Sequence, residues 1–256
     1  MQVRMPTALA ARYKSASQRA RVISEAWGEE NLYCPNCTSP RLERSPANTE
    51  AIDYTCPRCD APYQLKSQAR PFARRINDAA YDAMKRTIMK GRTPNLLVLH
   101  YQPERWEVQN LLLIPHFVFS LSAIERRKPL ASTARRSGWV GCNILLVNIP
   151  PDAKIRVVTN GIPASAALVR RQYNRLRPLQ KFPQETRGWT IDVLNVVRAL
   201  GKLEFALADV YAFSVHLRRL HPQNRRVQEK IRQQLQRLRD LGFLEFVGRG
   251  SYRLKS

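Results

Sequence analysis

The chain is poor in negative charge. Only 20 Asp plus Glu stand against 43 Lys plus Arg, a formal net charge of +23 over 256 residues. A surplus of that size repels itself in a compact fold unless a polyanion compensates it, and the usual polyanion is nucleic acid. A ribosome-associated protein and a cationic secreted protein are the other classes with such a balance. Long apolar runs are also missing. No stretch approaches the roughly 20 apolar residues that span a bilayer, so no membrane role is expected. Residues 1–14 hold no apolar run followed by a small-residue cleavage site, which reads against a secretory signal. Cysteine is scarce, five in all, and four of the five fall in two C-x-x-C pairs. That usage suits metal ligation in a reducing compartment rather than a disulfide framework, so the expected location is cytoplasmic. There is no internal repeat, no low-complexity tract and no sign of a protein partner.

What is present fits one domain of average size plus a smaller one. Residues 16–27 carry Ala16, Ala20, Val22, Ile23 and Trp27 at helical spacing. A turn-rich stretch with the cysteines follows over 33–59, interrupted by a polar loop around 44–50. Strands are expected at 51–55 and 63–67. Residues 76–90 read as a helix, with Ile76, Ala80, Met84 and Ile88 at intervals of four. Further strands are expected at 95–101, 109–114, 143–147 and 155–158. This order predicts a mixed α/β (α+β) domain over 1–182, its sheet ending near Leu176. Residues 177–187, with two prolines and four charges, read as a linker. A second domain then occupies 183–256.

Cys34-Pro35-Asn36-Cys37 and Cys56-Pro57-Arg58-Cys59 are separated by 18 residues, a zinc-ribbon spacing. Each knuckle turn points two thiolates to one side, and two knuckles complete a tetrahedron of soft sulfur ligands around Zn²⁺. Four protein ligands leave no open position, so the site is expected to be structural. Cys142, at the start of an apolar strand, is expected to fill core.

The second knuckle forms the tip of an expected hairpin whose strands carry Asp53 on one side and Gln64 and Lys66 on the other. Side chains alternate along a strand, so Gln64 and Lys66 share a face while Tyr63 and Leu65 share the opposite one. An acid facing an x-Leu-Lys pair resembles the PD-(D/E)xK nuclease motif. There, two oxygen ligands hold Mg²⁺ and a lysine positions the attacking water. Ile52 stands where the motif has proline. Gln64 stands where it has an acid, and offers a neutral carbonyl oxygen instead.

Residues 188–256 give three helices at 189–200, 207–220 and 225–241, then a hairpin of 243–247 and 252–254 turned by Gly248-Arg249-Gly250. Three helices and a two-stranded wing make a helix-turn-helix variant. On the third helix Val227, Ile231, Leu235 and Leu238 form the buried stripe. The other face holds Gln228, Arg232 and Gln233, flanked by Arg225 and Arg226. Arg and Gln suit guanine and adenine edges in the major groove, and Arg249 at the wing tip suits a phosphate or the minor groove. The segment has 13 Lys plus Arg against 6 acids.

Together the two zinc knuckles, the Asp53/Gln64/Lys66 hairpin and the winged helix resemble the DpnI family of methyl-directed restriction endonucleases. The likeness is carried by residues 12–21, Tyr33 to Cys37, Leu65-Lys66-Ser67, 76–81, 127–131, 133–143, Arg187-Gly188-Trp189-Thr190-Ile191 and 229–235, essentially the whole chain. It implies an Mg²⁺-dependent endonuclease that cuts duplex DNA at GATC carrying N6-methyladenine. It also implies a PD-(D/E)xK catalytic domain and a winged helix that recognises the methylated site. Carried over, Asp53 and Gln64 would hold Mg²⁺, Lys66 would serve the water, and Cys34, Cys37, Cys56 and Cys59 would bind zinc. Arg135, Arg136 and Trp139 form a further candidate contact: two guanidinium groups for phosphates and an indole face for an exocyclic methyl, with a buried core role for Trp139 as the other reading. The competing functions are a non-catalytic DNA-binding regulator and a degenerate nuclease retained as a reader of methylated sites.

Overall fold

The run from Asn95 to Gln102 is apolar at nearly every position, and Leu96, Leu97, Val98 and Leu99 are all buried, as a central strand covered on both faces requires. Around it the chain folds as shown by a computed structural model that describes residues 1–46, Thr49 and 51–255. Residues 47, 48 and 50 of the expected polar loop lie outside the described residues, as does Ser256. In chain order the elements are α1 (Ala16–Asn31), β1 (Glu43–Arg44), β2 (Tyr54–Thr55), β3 (Pro62–Gln68), β4 (Arg75–Ala80), α2 (Tyr81–Met89), β5 (Asn95–Gln102), β6 (Glu107–Ile114), β7 (Ile124–Arg126) and β8 (Gly141–Leu145). They continue with β9 (Ile155–Thr159), β10 (Ile162–Pro163), α3 (Ala166–Leu176), α4 (Gln184–Ala199), β11 (Glu204–Ala206), α5 (Leu207–Tyr211), α6 (Ser214–Leu220), α7 (Val227–Asp240), β12 (Leu244–Gly248) and β13 (Ser251–Leu254).

Two compact units emerge. The first comprises residues 1–74, 92–116 and 152–177. Its sheet runs β1-β2-β3-β5-β6-β9-β10, antiparallel except for the β3–β5 pair. Asn95, fully buried, ties that parallel junction together: its amide donates to the Pro62 carbonyl, and its oxygen accepts from the His116 amide and sits 3.0 Å from the Tyr173 hydroxyl of α3. A buried amide with all these partners specifies one register.

The second unit comprises residues 75–91, 117–151 and 178–256. It holds a small antiparallel sheet, β4-β8-β7, and the winged helix, whose wing is a β11-β13-β12 sheet. Val227, Ile231, Leu235 and Leu238 are buried along one side of α7, as their spacing predicts. No helix among the described residues is long and apolar enough to cross a membrane.

Several boundaries differ from expectation. Residues 75–80 form a strand, not the start of a helix: Ile76 pairs with Ile144 and both are buried, so cross-strand packing overrides the spacing of four. The strand expected at 51–55 shrinks to Tyr54–Thr55, because Ala51 takes a positive φ of 58°. The stretch read as a linker is helical: a 3-10 turn over Arg177–Lys181, then α4 from Gln184, with Pro183 as N-cap. Proline needs no amide donor there, so it starts the helix instead of ending it. The expected helix over 207–220 breaks into α5 and α6 where the Ser214 hydroxyl takes the Tyr211 carbonyl.

Candidate functional site

The four cysteines of the two knuckles converge. Their sulfur atoms all lie within 4.8 Å of one another. Cys34 and Cys59 are 3.6 Å apart and Cys37 and Cys56 3.5 Å apart. A tetrahedron with Zn–S bonds of about 2.3 Å has edges of about 3.8 Å, so the cluster can hold a zinc ion. Donors surround the sulfurs as an anionic site requires: the Ser39 amide on Cys37, the Arg58 amide on Cys56 and the Asn36 side-chain amide on Cys59, with the Tyr63 hydroxyl 3.2 Å from Cys34. Burial opposes ionisation of Cys56, but the amides of Arg58 and Cys59 and the thiols of Cys37 and Cys59 outweigh it and pull this thiol down to about 7. Arg170 on α3 braces the first knuckle by donating to the carbonyls of Cys34 and Ser39. Cys142 is fully buried in β8.

The second knuckle caps the β2–β3 hairpin, where Tyr54 pairs with Tyr63 and Thr55 with Pro62. Asp53 sits just outside β2 and brackets Gln64 on β3. Its amide donates to the Tyr63 carbonyl at 2.9 Å, and its Oδ2 accepts from the Leu65 amide at 2.7 Å. Leu65 and Ser67 line a cavity against α1, with Ala16, Ser17, Ala20, Arg21, Ser24, Glu25 and Tyr101. Gln64 and Lys66 therefore belong to the opposite face of β3. Gln64 is only 9% exposed and Lys66 is half-buried.

Asp53 itself lines a different cavity with Arg21, Glu25, Arg44, Ser45, Pro46, Thr49 and Ile52. Gln64 and Lys66 do not line it, although the Lys66 charge reaches the Asp53 carboxylate. Burial pushes the Asp53 carboxyl above its ordinary range. Glu25 adds in the same direction, while the Leu65 amide, Lys66 and Arg21 pull back. Glu25 is the acid that sequence reasoning missed. Its side chain is 13% exposed and is gripped by Arg21 at 2.6 Å and Arg44 at 2.5 Å. Gly28 makes the approach possible: a Cβ there would collide with the Tyr54 hydroxyl, which donates to the Glu25 carbonyl at 2.6 Å. The one sequence cue was the Arg21–Glu25 pair at i,i+4, a spacing common on any helix.

In the second unit, Arg135, Arg136 and Trp139 lie in the loop between β7 and β8. The loop is closed by backbone bonds between Leu130 and Trp139 and between Gly138 and Leu130. Both arginines are exposed, and Trp139 is half-buried rather than core. The Arg136 guanidinium stands 4.7 Å over its ring. The indole lies against the backbone at Gly141, where an added Cβ would fall 2.8 Å from a ring carbon. On α7 and its approach, Arg225, Arg226, Gln228, Arg232 and Gln233 are all exposed, as is Arg249 at the wing tip. The Arg232 guanidinium is held by the Tyr211 hydroxyl of α5, and the Asn224 side chain accepts from the Arg226 amide where α7 begins.

Residues 1–182 match the family profile described as DpnI, Dam-replacing family, and residues 185–254 match that described as DpnI_C, Dam-replacing HTH domain.

Proposed function

Because the chain belongs to the DpnI, Dam-replacing family of methyl-directed restriction nucleases, we propose that it hydrolyses phosphodiester bonds of duplex DNA at GATC sites carrying N6-methyladenine, using Mg²⁺, in the cytoplasm. Residues 1–182 would do the cutting in a PD-(D/E)xK arrangement, and 183–256 would read the site. The observation that carries this reading is Asp53 bracketing Gln64 on a hairpin capped by the second cysteine knuckle, with Lys66 two residues on.

The donor set suits a hard cation. Asp53 supplies a half-buried carboxylate and Glu25 a second one in the same cavity, whereas Gln64 does not line that cavity and would have to turn toward Asp53 to add its carbonyl oxygen. Bound there, Mg²⁺ would lower the proton affinity of water and neutralise charge on the phosphate. The protein's own part is to aim and hold. The Leu65 amide fixes one Asp53 oxygen, leaving the other for the ion. Lys66 orients the attacking water and stabilises the charge that develops on the phosphate oxygens. The thiolate cluster holds Zn²⁺ as a structural staple.

Reading would fall to Arg225, Arg226, Gln228, Arg232, Gln233 and Arg249, with Arg135 and Arg136 on phosphates and the Trp139 face on the N6-methyl group. Replacing Gly141 with alanine is expected to push the indole off its seat. Discrimination between methylated and unmethylated duplexes then falls about tenfold with little change in melting temperature, as measured by competition binding. Unchanged discrimination would remove Trp139 from the methyl contact.

The decisive test is a plasmid digest. With Mg²⁺, DNA from an adenine-methylating host is cut and DNA from a non-methylating host is not. The second reading, a degenerate nuclease that only recognises methylated sites, draws on the amide at Gln64. It wins if neither plasmid is cut while binding still prefers the methylated one.

A further inference from the structure

Asp192 of α4 is 3% exposed, and a carboxylate is a costly group to bury. Both of its oxygens are used. Oδ1 accepts from the Ser122 hydroxyl at 2.6 Å, and Oδ2 lies 2.7 Å from His221 Nε2. The His221 ring also stacks on the buried Trp189 indole, with centroids 3.9 Å apart and an interplanar angle of 15°.

The two partners sit at consequential places. His221 ends α6 and opens the turn that feeds α7; its carbonyl accepts from the Asn224 amide, and Asn224 in turn holds the Arg226 amide. A turn pinned at His221 fixes where the first residues of α7 emerge, and those residues reach base edges in helix-turn-helix proteins. Ser122 lies in the 3-10 turn Leu121–Ala123, immediately before β7. Asn148, just after β8, donates to the Ser122 carbonyl at 2.7 Å, and Asn195 on α4 donates to the Val147 carbonyl at 3.0 Å. Asp192 and Asn195, three residues apart on one helix, thus grip both ends of the β7–β8 hairpin that carries Arg135, Arg136 and Trp139. On α4 as well, Thr190 donates to the fully buried Gln234 of α7 at 2.8 Å.

An apolar residue at 192 would fill the space at lower cost. What it would not do is set the direction of two separate chain segments at once. We propose that Asp192 is a positioning residue that, through His221 and Ser122, holds the helix-turn-helix turn and the Arg135–Trp139 loop in one register for reading DNA. The inference rests on the reading above in which both segments contact the duplex.

The test is a double-mutant cycle on the full chain, binding a methylated GATC duplex with Ca²⁺ in place of Mg²⁺. Gln228→Ala and Trp139→Ala are each expected to weaken binding about tenfold. If the segments are held as one, the double variant loses at least about fivefold less than the product of the two single losses, since either loss already weakens the other contact. In an Asp192→Asn background the losses multiply to within about twofold. A purely structural role lowers the melting temperature and leaves the cycle unchanged. Ser122→Ala, which removes one hydroxyl, carries the same comparison if Asp192→Asn does not fold. Multiplicative losses in the parent, or non-additivity that survives in both backgrounds, overturn the proposal alone. If neither single variant weakens binding, the DNA-contact reading of these two residues falls first, and the network has nothing to position.

Discussion

Stripping zinc, with a strong chelator or by Cys34→Ser, is expected to abolish cleavage and drop the first cooperative melting transition by well over 10 °C. A structural zinc bound by four thiolates contributes roughly 10–16 kcal/mol of apparent binding free energy, as much as or more than the net stability of an ordinary domain, about 5–15 kcal/mol. Its loss has a local route to the β2–β3 hairpin. The second knuckle is the tip joining β2 to β3, and Tyr63, which pairs with Tyr54 and whose carbonyl accepts the Asp53 amide, presents its hydroxyl to the Cys34 sulfur. Four uncompensated thiols therefore disturb the strand that carries Gln64 and Lys66 and the residue that locates Asp53. DNA binding should survive in part, because α7 and the wing share no residue with the cluster. Metal analysis should return one zinc per chain. A chelated protein with unchanged cutting and a melting temperature within about 2 °C of the parent would contradict the staple.

The knuckles were readable because zinc ligation is a local matter: two C-x-x-C turns at ribbon spacing leave few alternatives. The winged helix was readable for a related reason, since Val227, Ile231, Leu235 and Leu238 declare one buried face within a single helix. Misreadings came where distant partners decide. β4 looks helical by its own spacing and becomes a strand because β8 offers Ile144 opposite Ile76. Glu25 is an ordinary helical acid until Gly28 admits Tyr54 and brings α1 onto the hairpin. Ser122, Asp192 and His221 are far apart in sequence, and none of them stands out in its own segment. The sequence also suggested that Asp53, Gln64 and Lys66 would face one point. The structure instead puts Asp53 in a cavity with Arg21, Glu25 and Arg44, and puts Gln64 and Lys66 on the β3 face turned away from α1.

That arrangement makes position 64 and its neighbour the sharpest test of catalysis. Lys66→Ala should leave methylated duplex bound and reduce cutting by about a thousandfold or more, the scale of losing a group that stabilises transition-state charge. Gln64→Glu should move the other way. A carboxylate attracts Mg²⁺ more strongly than an amide does, so the Mg²⁺ concentration for half-maximal cutting should fall about tenfold. The same change should cost stability when metal is absent, because it places a carboxylate in a nearly buried position, where desolvation opposes its charge. Mg²⁺ should then restore it: at about 100 times the dissociation constant, binding to the folded state contributes about 2.7 kcal/mol. The signature is a melting temperature below the parent in EDTA that rises by several degrees on titration with Mg²⁺, more than the parent's does. If Gln64→Glu alters neither the Mg²⁺ requirement nor the Mg²⁺-dependent melting shift, position 64 is not a metal ligand. The cutting centre would then have to be sought around Asp53, Glu25 and their arginines.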